Sequence, residues 1–302
     1  MTTQNFRVSN ELGMWLRSEP VVDESTQKVL LPKGQLVSKL GESGTADWWR
    51  ISTHFKDLDW EGVSKRTLMV PDAGFIPAES SNRITPVHLQ RSAPVIRNQR
   101  GTEAFRLNEQ PQPSRDASGN AAQKAEQLGQ IIDWLRVSEN KRYKPTETTT
   151  FCNIYAYDYC CLAGAYLPRV WWTQAAINRL VAGQPVNPTY GVTVDEITAN
   201  QLAKWFRDYG QIFGWRQTTS LTDLQLAANA GAVCIINARK IVGHGHICAI
   251  VPETAAHKAE WDAGHSRVTK PLTSQAGRQV FEYRPYVWWN ENYRDLGFWI
   301  HD

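Results

Sequence analysis

Apolar positions change their spacing near residue 121, and the change separates two kinds of structure. Before it, apolar residues come in short runs cut by Gly and Pro. Met14-Trp15-Leu16-Arg17 stops at a Ser-Glu-Pro turn, and residues 28–31 run into Pro32-Lys33-Gly34. Residues 35–40 meet the turn Gly41-Glu42-Ser43-Gly44, Trp48-Trp49-Arg50-Ile51 follows, and Glu61-Gly62-Val63 opens a last strand. Strands this short at such intervals predict a small β-barrel over residues 1–80. Residues 81–121 carry little periodicity. The run Gln110-Pro111-Gln112-Pro113-Ser114, followed by the Ser- and Gly-containing 116–120, predicts a linker. At Ala121 the period becomes helical, with Leu128, Ile131, Ile132 and Leu135 at i, i+3, i+4 and i+7. Further on, Val233-Cys234-Ile235-Ile236 and residues 247–251 are apolar runs of strand length. The expected fold class is therefore α+β: a small barrel, a linker, and a second domain over residues 122–302.

Chemistry enters at Thr148-Thr149-Thr150-Phe151-Cys152-Asn153-Ile154-Tyr155. The threonines offer N-caps and the apolar run after them has helical spacing, which puts Cys152 in the first turn of a helix. Free amides and the positive end of the helix dipole there favour a thiolate, the reactive form. The bland alternative is a small buried core residue, the common fate of cysteine. Asp158, six residues on, leaves the face of Cys152 and suits packing or a hydrogen bond. A base for the thiol should sit on a rigid element. Gly243-His244-Gly245-His246 joins the two apolar strands and delivers histidine onto the first residue of the second. Either His244 or His246 could reach a thiolate, with His246 on the more regular backbone and His244 equally readable as a surface residue at a turn.

Cysteine at a helix start, then Gly-His-Ile-x-x-Ile on a strand about ninety residues later, resembles the papain-like cell-wall hydrolases, the CHAP amidases and NlpC-type peptidases. The wording Asn140-Lys141-Arg142-Tyr143, Thr150-Phe151-Cys152-Asn153-Ile154-Tyr155, Leu167-Pro168-Arg169-Val170-Trp171 and Ala228-Asn229-Ala230-Gly231 is similar to lysins of that group. The resemblance covers most of residues 138–285. It implies a Cys152–His246 pair and a polar residue on the following strand, residues 270–277, to orient the imidazole. By the family pattern that residue is Gln275, with Glu282 competing and Ser274 a weaker candidate; Tyr143 and Thr149 are candidate side-chain donors to an oxyanion. Residues 8–78 similarly resemble a bacterial SH3-like domain, departing from it at His54 to Trp60. The implied activity is peptidoglycan amide hydrolysis, as amidase or endopeptidase, by a phage lysin or an injected toxin, the latter with an immunity or inhibitor protein as partner. The rival classes are a cysteine protease or deamidase acting on proteins, and a wall-binding module without activity.

Composition narrows this only slightly. A net charge of +3 is too weak to predict nucleic-acid binding. Five cysteines, odd in number and without a CxxC pair, predict neither a disulfide framework nor a metal site, and no cofactor is expected. Thirteen tryptophans leave open whether the pairs 48–49, 171–172 and 288–289 line a glycan groove or belong to cores and rims. No leader-like apolar stretch opens the chain, and no window is long enough to insert in a bilayer. The expectation is a monomer made in the cytoplasm that meets the wall after lysis or non-classical export.

Overall fold

The computed structural model describes residues 4–10, 12–53, 58–64, 68–71, 84–91, 93, 95–99, 104–240 and 242–302. It is an α+β structure with five α-helices and antiparallel sheets among the described residues.

The first strands are β1 (Gln4–Val8), β2 (Met14–Arg17), β3 (Gln27–Leu31), β4 (Leu36–Glu42), β5 (Trp48–Thr53), β6 (Leu58–Ser64) and β7 (Leu68–Pro71). Five form an antiparallel sheet in the order β6-β5-β4-β1-β7, and β2 pairs with β3 as a separate ribbon. In β2 the period of two is plain: Met14 and Leu16 are buried and Trp15 between them is exposed. Met14 and Leu16 join Val8, Leu31, Val37 and Ile51 in a small core. The expected barrel does not close among the described residues. Strand β1 was not expected, because Gln-Asn-Phe-Arg-Val carries only two apolar residues, Phe6 and Val8, too few to show a period. It forms by pairing on both edges, with β4 and with β7. Of the departing stretch His54 to Trp60, residues 54–57 lie outside the described residues.

The described residues between 84 and 120 contain no helix or strand, as their lack of period predicts. They do not cross solvent, however. Ile84, Val87, Val95, Ala104 and Leu107 are buried in the core of the second unit. Side chains satisfy backbone that no ladder serves: Val95 N–H donates to Asn108 Oδ1 (2.7 Å) and Val87 N–H to the Tyr166 hydroxyl (2.9 Å). Absence of periodicity reported irregular backbone and said nothing about burial.

Helix α1 (Ala121–Leu135) starts at a capping box between Asn120 and Gln123, and its stripe Leu128, Ile131, Ile132 and Leu135 is fully buried. Next come α2 (Cys152–Leu162), β8 (Val170–Trp172), α3 (Gln174–Val181), β9 (Val194–Glu196), α4 (Ala199–Tyr209), β10 (Arg216–Thr218) and α5 (Leu221–Asn229). Six further strands complete the chain: β11 (Val233–Lys240), β12 (His246–Ile250), β13 (Glu260–Trp261), β14 (Val268–Lys270), β15 (Leu272–Ala276) and β16 (Val280–Pro285), then a seventh, β17 (Tyr293–His301). The main sheet has the order β10-β17-β11-β12-β15-β16, all antiparallel. The strand expected over 270–277 is β15 at residues 272–276, and Pro271, which cannot donate to a ladder, stands between it and β14. Helix α2 packs against β12 and β15, so its first residue is carried to the start of β12. The two units touch through Arg7, which donates to Gln217 Oε1 at 2.6 Å, and through the Ser38 and Thr219 hydroxyls at 2.6 Å. No helix among the described residues is long and apolar enough to cross a membrane.

Candidate active site

Cys152 is the first residue of α2, and the helix opens without a side-chain cap: the cap position is Phe151, and no threonine fills it. The amides a cap would have taken are left for another acceptor. The Cys152 sulfur lies near these amides, and the Ile247, Asn153 and Cys152 amides and the Thr150 hydroxyl act to lower its thiol pKa. Because Ile247 follows His246, that influence comes from the first residues of β12.

His246 is placed by the β11–β12 hairpin and by two glycines. A side chain at Gly245 would bring its Cβ to 2.4 Å from Ala238 O and 2.5 Å from Asn200 Oδ1, so only glycine fits. Asn200, at the start of α4, binds both sides of the turn, accepting from Lys240 N–H and donating to Gly243 O, each at 3.0 Å. A Cβ at Gly277 would stand 3.0 Å from His246 Cε1, so this glycine reserves space for the ring. Trp288 covers the imidazole edge-on, with ring centroids 4.7 Å apart, and its indole N–H donates to Cys248 Sγ at 3.2 Å.

Gln275 lies across from Cys248 by the β12–β15 register, which pairs Ala249 with Ser274. Its Oε1 is 2.8 Å from His246 Nε2, and its Nε2 donates to Gln279 O at 3.1 Å. With the amide nitrogen committed there, the amide oxygen must face the ring and accept, so the imidazole proton sits on Nε2. Nδ1 is left with a lone pair, the form a general base needs. Thiol and imidazole are not hydrogen-bonded to each other in this state; such bonds commonly tighten only around a substrate.

The competing residues are elsewhere. Glu282 accepts from the Ser138 amide (2.9 Å) and hydroxyl (2.6 Å) on the surface. Ser274 points to the opposite face of β15, where its hydroxyl meets the Tyr155 hydroxyl at 2.5 Å. Tyr143 is no oxyanion donor. It is fully buried, and its hydroxyl donates to Asp158 Oδ2 at 2.9 Å. Asp158 in turn holds Arg142 at 2.6 and 3.2 Å in a fully buried ion pair. Thr149 and His244 both line a cavity of about 330 Å³ that opens at Cys152. His244 is exposed there, while Gln275 engages His246. Of the tryptophan pairs, Trp171 and Trp172 are buried, Trp288 covers His246, and Trp49 packs on Phe6 at 4.7 Å.

Burial dominates the electrostatics. It pushes the Cys152 thiol up from its ordinary range, against the surrounding donors that pull it down. It pushes the His246 imidazole down to about 4, against the Gln275 hydrogen bond. Burial thus favours the neutral form of both partners, against the ionised thiol expected from the helix dipole alone. All five cysteines are free thiols, and among the described residues no group of three His, Cys, Asp or Glu is placed to hold a metal ion. The supporting roles of Asn200, Gly277 and Trp288 had no signal in the sequence beyond the glycine itself, since each acts across a long stretch of chain. Compared with known proteins, the chain matches no family profile, no curated protein and no solved structure.

Proposed function

We propose that this protein is a cysteine hydrolase of the papain-like type that cleaves an amide bond of the peptidoglycan stem. The observation that carries the reading is the 2.8 Å bond between His246 Nε2 and Gln275 Oε1, which leaves Nδ1 basic, at the strand end whose Ile247 amide acts to lower the Cys152 thiol pKa. In the proposed reaction the Cys152 sulfur attacks the amide carbonyl carbon while its proton passes to His246 Nδ1. The oxygen that gains charge lies at the open start of α2, where the Cys152 amide can donate to it. The C–N bond then breaks, the imidazolium gives its proton to the leaving amine, and a thioester remains. Water, deprotonated by the same imidazole, attacks the thioester and releases the acid and the thiol. Gln275 orients the ring as the third member of a triad does, without the charge a carboxylate would supply to the imidazolium.

Peptidoglycan is preferred as substrate on the resemblance of residues 138–285 to CHAP and NlpC-type enzymes, and of residues 8–78 to SH3-like wall-binding domains. The division proposed is a wall-binding unit over 1–80 and a hydrolase unit over 122–302. The test is digestion of purified peptidoglycan by the native protein, by Cys152→Ala and by His246→Ala, with products resolved by mass. New amine and carboxyl termini that appear only with the native protein support the reading and name the bond. Wall binding without release by any of the three, together with cleavage of a protein substrate, would transfer the chemistry to proteins.

A further inference from the structure

The irregular stretch between the two units does more than connect them. Its residues 87–90, with Ala104 and Arg106, form one side of a cavity of about 320 Å³. Tyr157 of α2, with Arg169 and Val170 at the start of β8, forms the other side. The irregular side is tied down although it has no ladder. Val87, Ala104 and Leu107 are buried in the core. The Val87 amide donates to the Tyr166 hydroxyl at 2.9 Å, and Trp172 Nε1 donates to Thr85 O at 2.8 Å. His88 sets its ring edge-on to Tyr166, with centroids 5.8 Å apart. No described residue lines both this cavity and the one at Cys152.

The chain as a whole is nearly balanced, with 33 Lys and Arg against 30 Asp and Glu, but this cavity is not. His88, Arg106 and Arg169 line it, and no Asp or Glu among the described residues does. The nearest carboxylates along the chain are engaged elsewhere. Asp158 is buried against Arg142, and Glu109 pairs with Arg97. Arg169 is only 3% exposed and is paired with Glu196 at 2.5 Å, so its charge is partly met. Arg106 is exposed and has no ion-pair partner among the described residues. Its charge is felt at the Tyr157 hydroxyl, which places the two near each other. Burial keeps that hydroxyl protonated well above neutral pH, so it stands as a donor beside the guanidinium. A cleft whose walls carry one sign of charge concentrates the opposite ion. Among anions, a phosphate dianion gains most from a guanidinium fork supported by a neutral hydroxyl.

We propose that this cavity binds a phosphate dianion, free or as the monoester of a small molecule, held chiefly by Arg106 with His88, Tyr157 and Arg169 as further donors. The site does not depend on the hydrolase reading. The test uses the full-length protein and three probes: inorganic phosphate, a hexose 6-phosphate and the singly charged diester dimethyl phosphate. Each is titrated at constant ionic strength against chloride, because general screening would otherwise imitate binding. Affinity is read by calorimetry, and location by the ring C–H resonances of His88. Phosphate or the hexose phosphate should bind at least tenfold tighter than the diester and should move the His88 resonances. The tighter of the two names the source, a free ion or an organic phosphate. Arg106→Gln should weaken binding about tenfold or more, the loss expected of a charge-assisted contact. Arg106→Lys, which keeps the charge and loses the fork, should fall between the two. Lys270→Gln removes the same charge from the exposed strand β14 and should leave affinity unchanged. Phosphate binding no better than chloride, equal losses in Arg106→Gln and Lys270→Gln, or binding that leaves the His88 resonances in place would overturn the site.

Discussion

Replacing Gln275 by Glu changes one atom of the His246 partner and adds a charge, so its effect can be worked from the geometry. The ring nitrogen and the side-chain oxygen are 2.8 Å apart, in a site where Gln275 is buried. With charge centres about 4 Å apart and an effective dielectric of about 20, the attraction between imidazolium and carboxylate is about 4 kcal/mol. At 1.36 kcal/mol per pH unit this is about 3 units, which lifts the imidazole from about 4 toward about 7. The midpoint is read from the His246 ring C–H resonances during an NMR titration. A second readout is the rate at which iodoacetamide alkylates Cys152. At pH 6 the variant ring is mostly charged and favours the thiolate beside it, so alkylation should rise several-fold over native. Gln275→Ala removes a bond that raises the imidazole and should move the midpoint the other way. A native midpoint at or above 6.5, or native alkylation already fast and flat from pH 5, would refute the neutral resting pair. An unchanged midpoint in Gln275→Glu would refute the contact itself.

The depressed imidazole also sets a pH dependence of stability. The unfolded chain takes up the His246 proton near 6.5 and the folded chain only near 4, so stability is complete above about 6.5 and is lost as pH falls through that window. Unfolding free energies from urea denaturation at pH 7 and 4.5 should therefore differ by about 2–3 kcal/mol more in the native protein than in His246→Gln. Gly277→Ala places a Cβ 3.0 Å from the imidazole, so kcat should drop about tenfold or more while the melting temperature changes little. Asp158→Ala strands the buried Arg142 guanidinium and should cost about 3–5 kcal/mol in chemical denaturation, whereas Tyr143→Phe should cost about 1 kcal/mol and leave hydrolysis intact. A rate loss of a hundredfold in Tyr143→Phe would return that tyrosine to the site.

Local rules made several parts of this molecule legible in its sequence. The stripe Leu128, Ile131, Ile132 and Leu135 named the buried face of α1, and the apolar spacing after Thr150 announced a helix beginning at Cys152, although no threonine caps it. The apolar runs around Gly243-His244-Gly245-His246 announced two strands and the turn between them. Each of these depends on neighbours within a turn or two, which periodicity and turn chemistry report directly. Strand β1 was not legible, because its polar residues become a strand only between two partners supplied by distant chain. Nor did spacing say whether Gln275, Glu282 or Ser274 meets the imidazole: the family resemblance favoured Gln275, and the contact depends on the register of β15 on β12, since one residue of slip reverses every side chain. The burial that favours a neutral Cys152–His246 pair and the retirement of Tyr143 into the Arg142–Asp158 core were likewise decided in three dimensions. Burial and long-range contact are properties of the packed chain, and a sequence read in short windows carries the period of its elements but not the neighbours they will meet.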